Sequence, residues 1–139
     1  DRDQVKAIYA GVCDLSIGNH YYYFKMLNNE EQKIWLEKAT IVFPNQKDRG
    51  THVNISGIAL LKESYREKSE KLLDFLVSQK AQGIYANDNN EFPVSPEVPL
   101  SDGVNKLAGG AKFDNIDLLK IAENRKAVVN ILNKINYDE

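Results

Sequence analysis

The sequence is poor in the features that define several large classes of protein. Only one of its 139 residues, Cys13, is a cysteine, so the chain cannot form an internal disulfide or a cysteine-based metal site. No apolar run approaches the roughly 18 residues that a membrane-spanning helix requires. The 18 Lys and Arg residues are interspersed with 20 Asp and Glu residues. We therefore expect no membrane span, and no nucleic acid as a partner, because duplex binding needs a concentrated basic face.

Motifs of the common enzyme classes are also missing. The sequence has no P-loop, no Gly-x-Ser-x-Gly nucleophile elbow and no His-Glu-x-x-His zinc motif. The two histidines, His20 and His52, lie far apart in the sequence, and no serine or cysteine near them has the context of a nucleophile. We expect a protein that is not an enzyme.

The remaining composition is that of a globular protein, with 42% apolar, 27% charged and 9% aromatic residues. Periodicity of 3.6 residues predicts helices over 3–10, from Asn19 or His20 to Met26, and over 30–39, 66–77, 78–85 and 115–135. Alternating or β-branched segments predict strands over 12–17, 40–43 and 51–61. The interleaving of helices and strands predicts an α/β fold.

Two further expectations concern the second half of the chain. Residues 91–110 contain three prolines and three glycines, which favours irregular structure. The long C-terminal helix is expected to face the core with six apolar side chains at helical spacing: Ile116, Leu119, Ala122, Val129, Leu132 and Ile135.

Three consecutive tyrosines, Tyr21, Tyr22 and Tyr23, stand at a predicted helix start. Consecutive helical residues are about 100° apart, so at most two of the three rings can face one cleft. One interpretation is packing in a core or an interface. The other is a site for a hard cation, because a phenolate is a charged oxygen donor that suits iron(III). The residues alone leave both interpretations open.

The cation interpretation has two chemical consequences. The turn formed by Gly18 and Asn19 before the helix offers backbone N–H groups and the positive end of the helix dipole to an anion. Phenols have pKa values near 10, so a bound metal must displace their protons. Iron binding is then expected to weaken in acid.

Several segments in fixed order resemble the C-terminal part of the periplasmic ferric-iron-binding proteins of bacterial ABC transporters. They are DRDQVKAIYAG (1–11), CDLSIGNHYYY (13–23), FPNQ (43–46), RGTHVNISG (49–57), YA (85–86) and EFPV (91–94). The resemblance extends over nearly the whole chain. It implies the C-terminal part of a two-lobed, periplasmic-binding-protein-like α/β fold and the binding of iron(III) for delivery to a membrane permease.

The resemblance also implies roles for individual residues. Tyr21 and Tyr22 correspond to an adjacent pair that supplies two phenolate ligands to iron(III). Asn19 corresponds to a position that contacts a synergistic anion, such as carbonate or phosphate. His20 stands where Thr or Asn is expected, and it is assigned with Asn19 to the anion or to the surroundings of the metal. Tyr23 is assigned to packing.

Members of that family are much longer and place further iron ligands outside the part that this chain resembles. We therefore expect a C-terminal fragment with second-lobe elements over 1–44, a hinge crossover strand over 45–61 and a helical remainder over 62–139. Its expected partners are the missing N-terminal lobe and the permease, in the periplasm, and two copies of the fragment are candidates for dimerisation. Alone, it should bind iron weakly or not at all.

Two other functions remain open at the level of the residues. The same fold could hold another solute, such as an anion or a polyamine, with the tyrosines stacking or hydrogen bonding. Alternatively, the chain could be a structural or interaction domain in which all three tyrosines are packed. The direction of the Tyr21 and Tyr22 hydroxyls distinguishes these from an iron site.

Overall fold

The computed structural model describes residues 1–62 and 65–137. Within these ranges the chain forms six α-helices: α1 (Arg2–Tyr9), α2 (His20–Leu27), α3 (Arg66–Leu76), α4 (Gln79–Asp88), α5 (Asp102–Ala108) and α6 (Leu118–Lys134). A short 3-10 helix, Lys33–Glu37, follows α2. The chain divides into two compact units. Unit 1 contains Asp1–Phe43 and Ile55–Gly110, and unit 2 contains Pro44–Asn54 and the chain from Ala111 onward.

The prediction of alternating strands and helices is wrong. Over the described ranges no residue of 12–17, 40–43 or 51–61 lies in a β-strand, and the pairing is limited to an isolated parallel bridge between Thr51 and Phe113. A strand is completed by hydrogen bonds to a neighbouring strand, and alternation of side chains does not show whether that neighbour exists. Among the described residues the alternating segments have no neighbouring strand, and apolar side chains such as Ile17, which is 87% exposed, remain in solvent.

The predicted helices are largely confirmed, with two corrections. The segment 30–39 forms only the 3-10 helix Lys33–Glu37. A physical reason is that Asn29 Oδ1 accepts hydrogen bonds from the backbone N–H groups of Glu31 and Gln32, which competes with a regular helical start. The segment 91–110, expected to be irregular, contains α5, because its last proline, Pro99, precedes the helix and leaves it uninterrupted.

Helix α6 lies within the predicted range 115–135 but does not have the predicted burial. None of its 17 residues is buried. Of the six side chains expected to face the core, Leu132 is half-buried and the other five are exposed. Helical periodicity identifies an apolar face but not the surface that covers it, and the described part of the chain supplies no such cover.

The buried core of unit 1 fixes the position of α2. Phe24 and Met26 of α2 are buried, as are Val104 and Ala108 of α5. Helix α5 approaches Phe24 through Gly103, where a Cβ atom would lie 3.4 Å from the Phe24 ring. The first turn of α2, which carries the tyrosines, therefore continues into a segment that is packed against α5.

Residue Gln82, buried on α4, ties the following segment of chain to that helix. Its Nε2 donates to the Leu76 carbonyl oxygen at 2.7 Å, and its Oε1 accepts from the Val94 N–H at 2.8 Å. The Glu91 N–H donates to the Tyr85 carbonyl oxygen at 3.2 Å. Residues 91–94 are thereby held against α4 by both side-chain and backbone bonds.

In unit 2, the loop after Pro44 is joined to the chain before α6. Gln46 Nε2 donates to the Lys112 carbonyl oxygen at 3.0 Å, and Gln46 Oε1 accepts from the Lys112 N–H at 2.7 Å. Gly50 has a φ of 99°, and a Cβ atom there would lie 2.7 Å from the Phe113 backbone. The close approach of the two segments therefore requires glycine at this position.

Candidate functional site

The first turn of α2 places Tyr21 and Tyr22 side by side. Their ring centroids lie 4.6 Å apart at an interplanar angle of 40°, and both residues are half-buried. Tyr23 takes a different direction and packs edge-on against the buried Phe24, with centroids 5.7 Å apart. Two of the three rings thus form an accessible pair, while the third contacts the core.

The surroundings of Tyr21 make its hydroxyl harder to ionise. Partial burial raises the pKa of Tyr21, the charge and hydrogen bond of Tyr22 raise it further, and the negative charge of Glu91 adds to the effect. The Tyr21 hydroxyl therefore keeps its proton at neutral pH unless a cation displaces it.

A cation lies over each ring of the pair. Lys25 Nζ is 5.5 Å from the Tyr21 ring centroid, and Arg2 Cζ is 6.0 Å from that of Tyr22. Sequence reasoning missed both contacts. Lys25 follows Tyr21 by four residues on one helix, a spacing that could have indicated the contact. Arg2 lies on α1, and no local pattern connects it to Tyr22.

Asn19, predicted to contact an anion, precedes α2 as its N-cap residue with an extended backbone. Its N–H donates to Asp1 Oδ2 at 3.0 Å and its Nδ2 donates to the same oxygen at 3.2 Å. A carboxylate therefore occupies the two donors that would bind an anion. The arrangement demonstrates that these donors can converge on one anionic oxygen.

His20, predicted to lie at the anion or near the metal, is directed toward the segment after α4. Its Nε2 lies 2.8 Å from the carbonyl oxygen of Asn90, and its ring centroid is 4.6 Å from that of Phe92. Burial lowers the pKa of His20, outweighing the bond to Asn90 and the charge of Glu91, which raise it. The ring is therefore neutral at neutral pH and adds no positive charge beside the tyrosines.

Other types of site find little support in the structure. Across residues 1–62 and 65–137, no group of three or more His, Cys, Asp or Glu side chains is placed to hold a metal ion. In the same ranges no helix is both long and apolar enough to cross a membrane. The Tyr21 and Tyr22 pair, with oxygen donors and accessible rings, is the candidate site that the fold assembles.

Comparison with known proteins finds relatives named for iron uptake and for ferric ion binding. No protein-family model matches the chain. Iron uptake protein A1 of Synechocystis is 37% identical over 140 residues, which cover 99% of this chain and 39% of that protein. The crystal structure of apo ferric ion-binding protein A from Pasteurella haemolytica has a TM-score of 0.91 and 46% identity to this chain. The match covers all of this chain and 44% of the Pasteurella protein's chain.

The chain is similar in sequence and in structure to a portion of these iron-binding proteins. A third relative, from Trichodesmium and solved in complex with iron and citrate ligands, has a TM-score of 0.89 and 33% identity over 97% of this chain and 43% of its own. The chain spans about two fifths of the length of the curated relatives it matches. The resemblance found in the sequence is thus confirmed, for a portion of these proteins.

Proposed function

We propose that this chain contributes part of an iron(III) site to the solute-binding component of an ABC importer, with Tyr21 and Tyr22 as two phenolate ligands. The observation that carries the proposal is the pairing of these two rings, 4.6 Å apart on the first turn of α2. The homology to proteins named for ferric iron binding and iron uptake supports it.

The chemistry of the pair suits a trivalent iron ion better than a soft metal. Phenolate oxygens are hard, charged donors, and hard donors match hard cations. The Tyr21 proton is held in the absence of metal, so iron binding displaces it and stabilises the phenolate that results. Lys25 and Arg2, over the two rings, add positive charge that favours the ionised pair.

A synergistic anion, such as carbonate or phosphate, would complete the coordination next to the tyrosines. We place it at Asn19, whose N–H and Nδ2 already converge on the carboxylate of Asp1. The N-terminal end of α2, which begins at the next residue, favours negative charge there. His20 lies beside this position as part of the surroundings of the site.

Two phenolates do not fill the coordination sphere of iron(III), so further ligands would come from a protein as long as the relatives. Residues 1–44 would then contribute to a second lobe, 45–61 to a hinge crossover, and 62–139 to the helical remainder. Closure of two lobes about the hinge would bring both sets of ligands onto the ion, and opening would release it to a permease. This function is binding without catalysis, and we place it in the periplasm.

The test uses the full-length protein that carries this sequence. Iron(III) bound to phenolates absorbs visible light, so addition of iron should produce a coloured complex. Tyr21→Phe and Tyr22→Phe each remove one donor while keeping the ring, and we expect the double variant to lose the visible band. Tyr23→Phe is the matched control, because its ring packs against Phe24 and its hydroxyl is not assigned to iron.

A band that persists in the double variant would contradict the proposal. Absence of any band in the wild-type protein, with binding of another anion or of a polyamine instead, would favour a different solute for the same fold. The polypeptide 1–139 on its own should bind iron weakly or not at all, and tight binding by it would contradict the shared site.

A further inference from the structure

We propose that His20 is a positioning residue that keeps Tyr21 and Tyr22 side by side by fastening the first turn of α2 to residues 90–92. This inference rests on the proposed iron-binding function. It gives His20 a role that does not require contact with the metal or the anion.

Contacts of the His20 ring join the first turn of α2 to Asn90 and Phe92. Nε2 lies 2.8 Å from the Asn90 carbonyl oxygen. A carbonyl oxygen only accepts hydrogen bonds, so Nε2 carries a proton and donates it, and the tautomer of the neutral ring is fixed. The ring also packs on Phe92, with centroids 4.6 Å apart, and meets the edge of Phe24 at 6.3 Å.

The segment that receives this bond is itself held in place. Asn90 is buried and adopts a left-handed backbone with a φ of 60°, which turns the chain after α4. Its side-chain oxygen accepts a hydrogen bond from Ser101 Oγ at 3.3 Å. The Glu91 N–H is bound to the Tyr85 carbonyl oxygen, and the Val94 N–H to the side chain of Gln82. His20 therefore bonds to a segment whose position is set by its own hydrogen bonds.

The first turn of α2 needs this contact because it lacks the side-chain hydrogen bond that usually caps the start of a helix. The side chain of Asn19, the N-cap residue, makes no capping hydrogen bond and donates to Asp1 instead. A helical turn without a cap frays readily. Adjacent side chains differ in direction by about 100° in a helix, whereas in an extended chain they point to opposite sides. Loss of the turn would therefore separate the two phenol rings. The His20 contact takes the place of the cap.

The contact with Asn90 removes one of the two ring nitrogens from direct ligation. The Nε2 proton is committed to Asn90, so Nε2 has no lone pair for a metal and no proton for an anion. Nδ1 keeps a lone pair in this tautomer, and amide exchange measured without iron tests positioning independently of any bond from Nδ1 to the metal. Residues that hold a metal ligand in place commonly affect metal affinity without touching the ion. His20 acts on the tyrosines through the backbone that it shares with them.

The test compares three substitutions in the full-length protein. His20→Ala removes both the donor and the ring, His20→Phe keeps the ring without the donor, and His20→Gln restores a donor without the ring. The readouts are iron affinity, by competition with a chelator, the wavelength of the visible iron band, and hydrogen exchange of the Tyr22 and Tyr23 amides without iron. Tyr65→Phe is the control, because Tyr65 is 83% exposed and lies outside α2, the proposed hinge and residues 90–92.

We expect His20→Ala to accelerate amide exchange in the first turn about five- to tenfold, to lower iron affinity by a similar factor and to shift the band. His20→Phe and His20→Gln should each recover part of the loss, and Tyr65→Phe should match the wild type. An unchanged exchange rate and band in His20→Ala would overturn the proposal. So would a loss of affinity that saturating phosphate or carbonate abolishes, since it would assign His20 to the anion.

Failure of the underlying function has a different signature. If the wild-type protein forms no coloured iron complex, the iron function fails, while amide exchange in the iron-free protein still decides whether His20 holds the turn. If the colour forms and the His20 variants behave as the wild type, only the positioning role fails.

Discussion

Iron binding to the tyrosine pair should release protons in a number that can be counted. Phenols ionise near pH 10, and partial burial together with Tyr22 and Glu91 raises the pKa of Tyr21 above that. At neutral pH an iron ion that bonds to the Tyr21 oxygen must therefore displace its proton. We expect one of the protons released per iron to come from Tyr21.

The magnitude follows from linkage. Each proton released changes the apparent affinity about tenfold per pH unit, or about 1.4 kcal/mol, and the proton of Tyr21 contributes one such factor. The sign is fixed because the proton competes with the metal: affinity falls as the pH falls. The raised pKa of Tyr21 lies above the neutral range, so its contribution should continue without a plateau between about pH 6 and pH 9.

The assay is chelator competition at a series of pH values with the full-length protein and its variants. Hydrolysis of free iron and titration of the anion also release protons, and they contribute equally to each protein as long as no hydroxide on the iron replaces the missing phenolate. The difference between wild type and Tyr21→Phe therefore isolates one tyrosine, and we expect the slope of log affinity against pH to decrease by about one. Tyr23→Phe should keep the wild-type slope. Equal slopes for the wild type and Tyr21→Phe would refute ionisation of Tyr21 on binding.

Three further predictions concern the anion and the fold. Asp1→Ala frees the N–H and Nδ2 of Asn19 and removes a negative charge, so the phosphate concentration for half-maximal colour should fall about two- to fivefold; an unchanged value would argue against an anion at Asn19. Ser78→Ala removes the cap that Ser78 Oγ provides to the Ala81 N–H and should cost about 1 kcal/mol of unfolding free energy in urea titrations, whereas no change would show that solvent replaces the cap. Met26→Ala leaves a cavity in a fully buried position and should cost about 2–5 kcal/mol by the same measurement; a smaller cost would mean that the core collapses around it.

The tyrosine pair was predictable because its signal is local. Three adjacent phenols at a helix start allow two to face one cleft, and the structure pairs Tyr21 with Tyr22 while Tyr23 meets Phe24. The contacts of His20 were not predictable in this way. They depend on residues 90–92, about 70 positions further along the chain, and only the fold brings these segments together.

The strand predictions failed for a related reason. Alternation over 12–17 reports which side chains share a face, whereas a strand also needs the backbone of another segment. Helix predictions fared better because the backbone hydrogen bonds of a helix lie within the segment itself. Helix α6 illustrates the limit of that advantage, since the helix forms within the predicted range although the apolar face expected to be buried is mostly exposed.

The proposed iron site and the exposed apolar side chains before it lead to one prediction about a longer protein. As proposed, Tyr21 and Tyr22 would provide two donors where iron(III) needs more, and Leu15 and Ile17, just before them, are 77% and 87% exposed. Relatives that match nearly the whole chain are about two and a half times as long. A protein of that length could cover the apolar segment and supply the further ligands with the same added residues. Removal of those residues should therefore weaken iron binding and at the same time increase the exposed apolar surface. If the site were complete within this chain, iron affinity would not change on their removal.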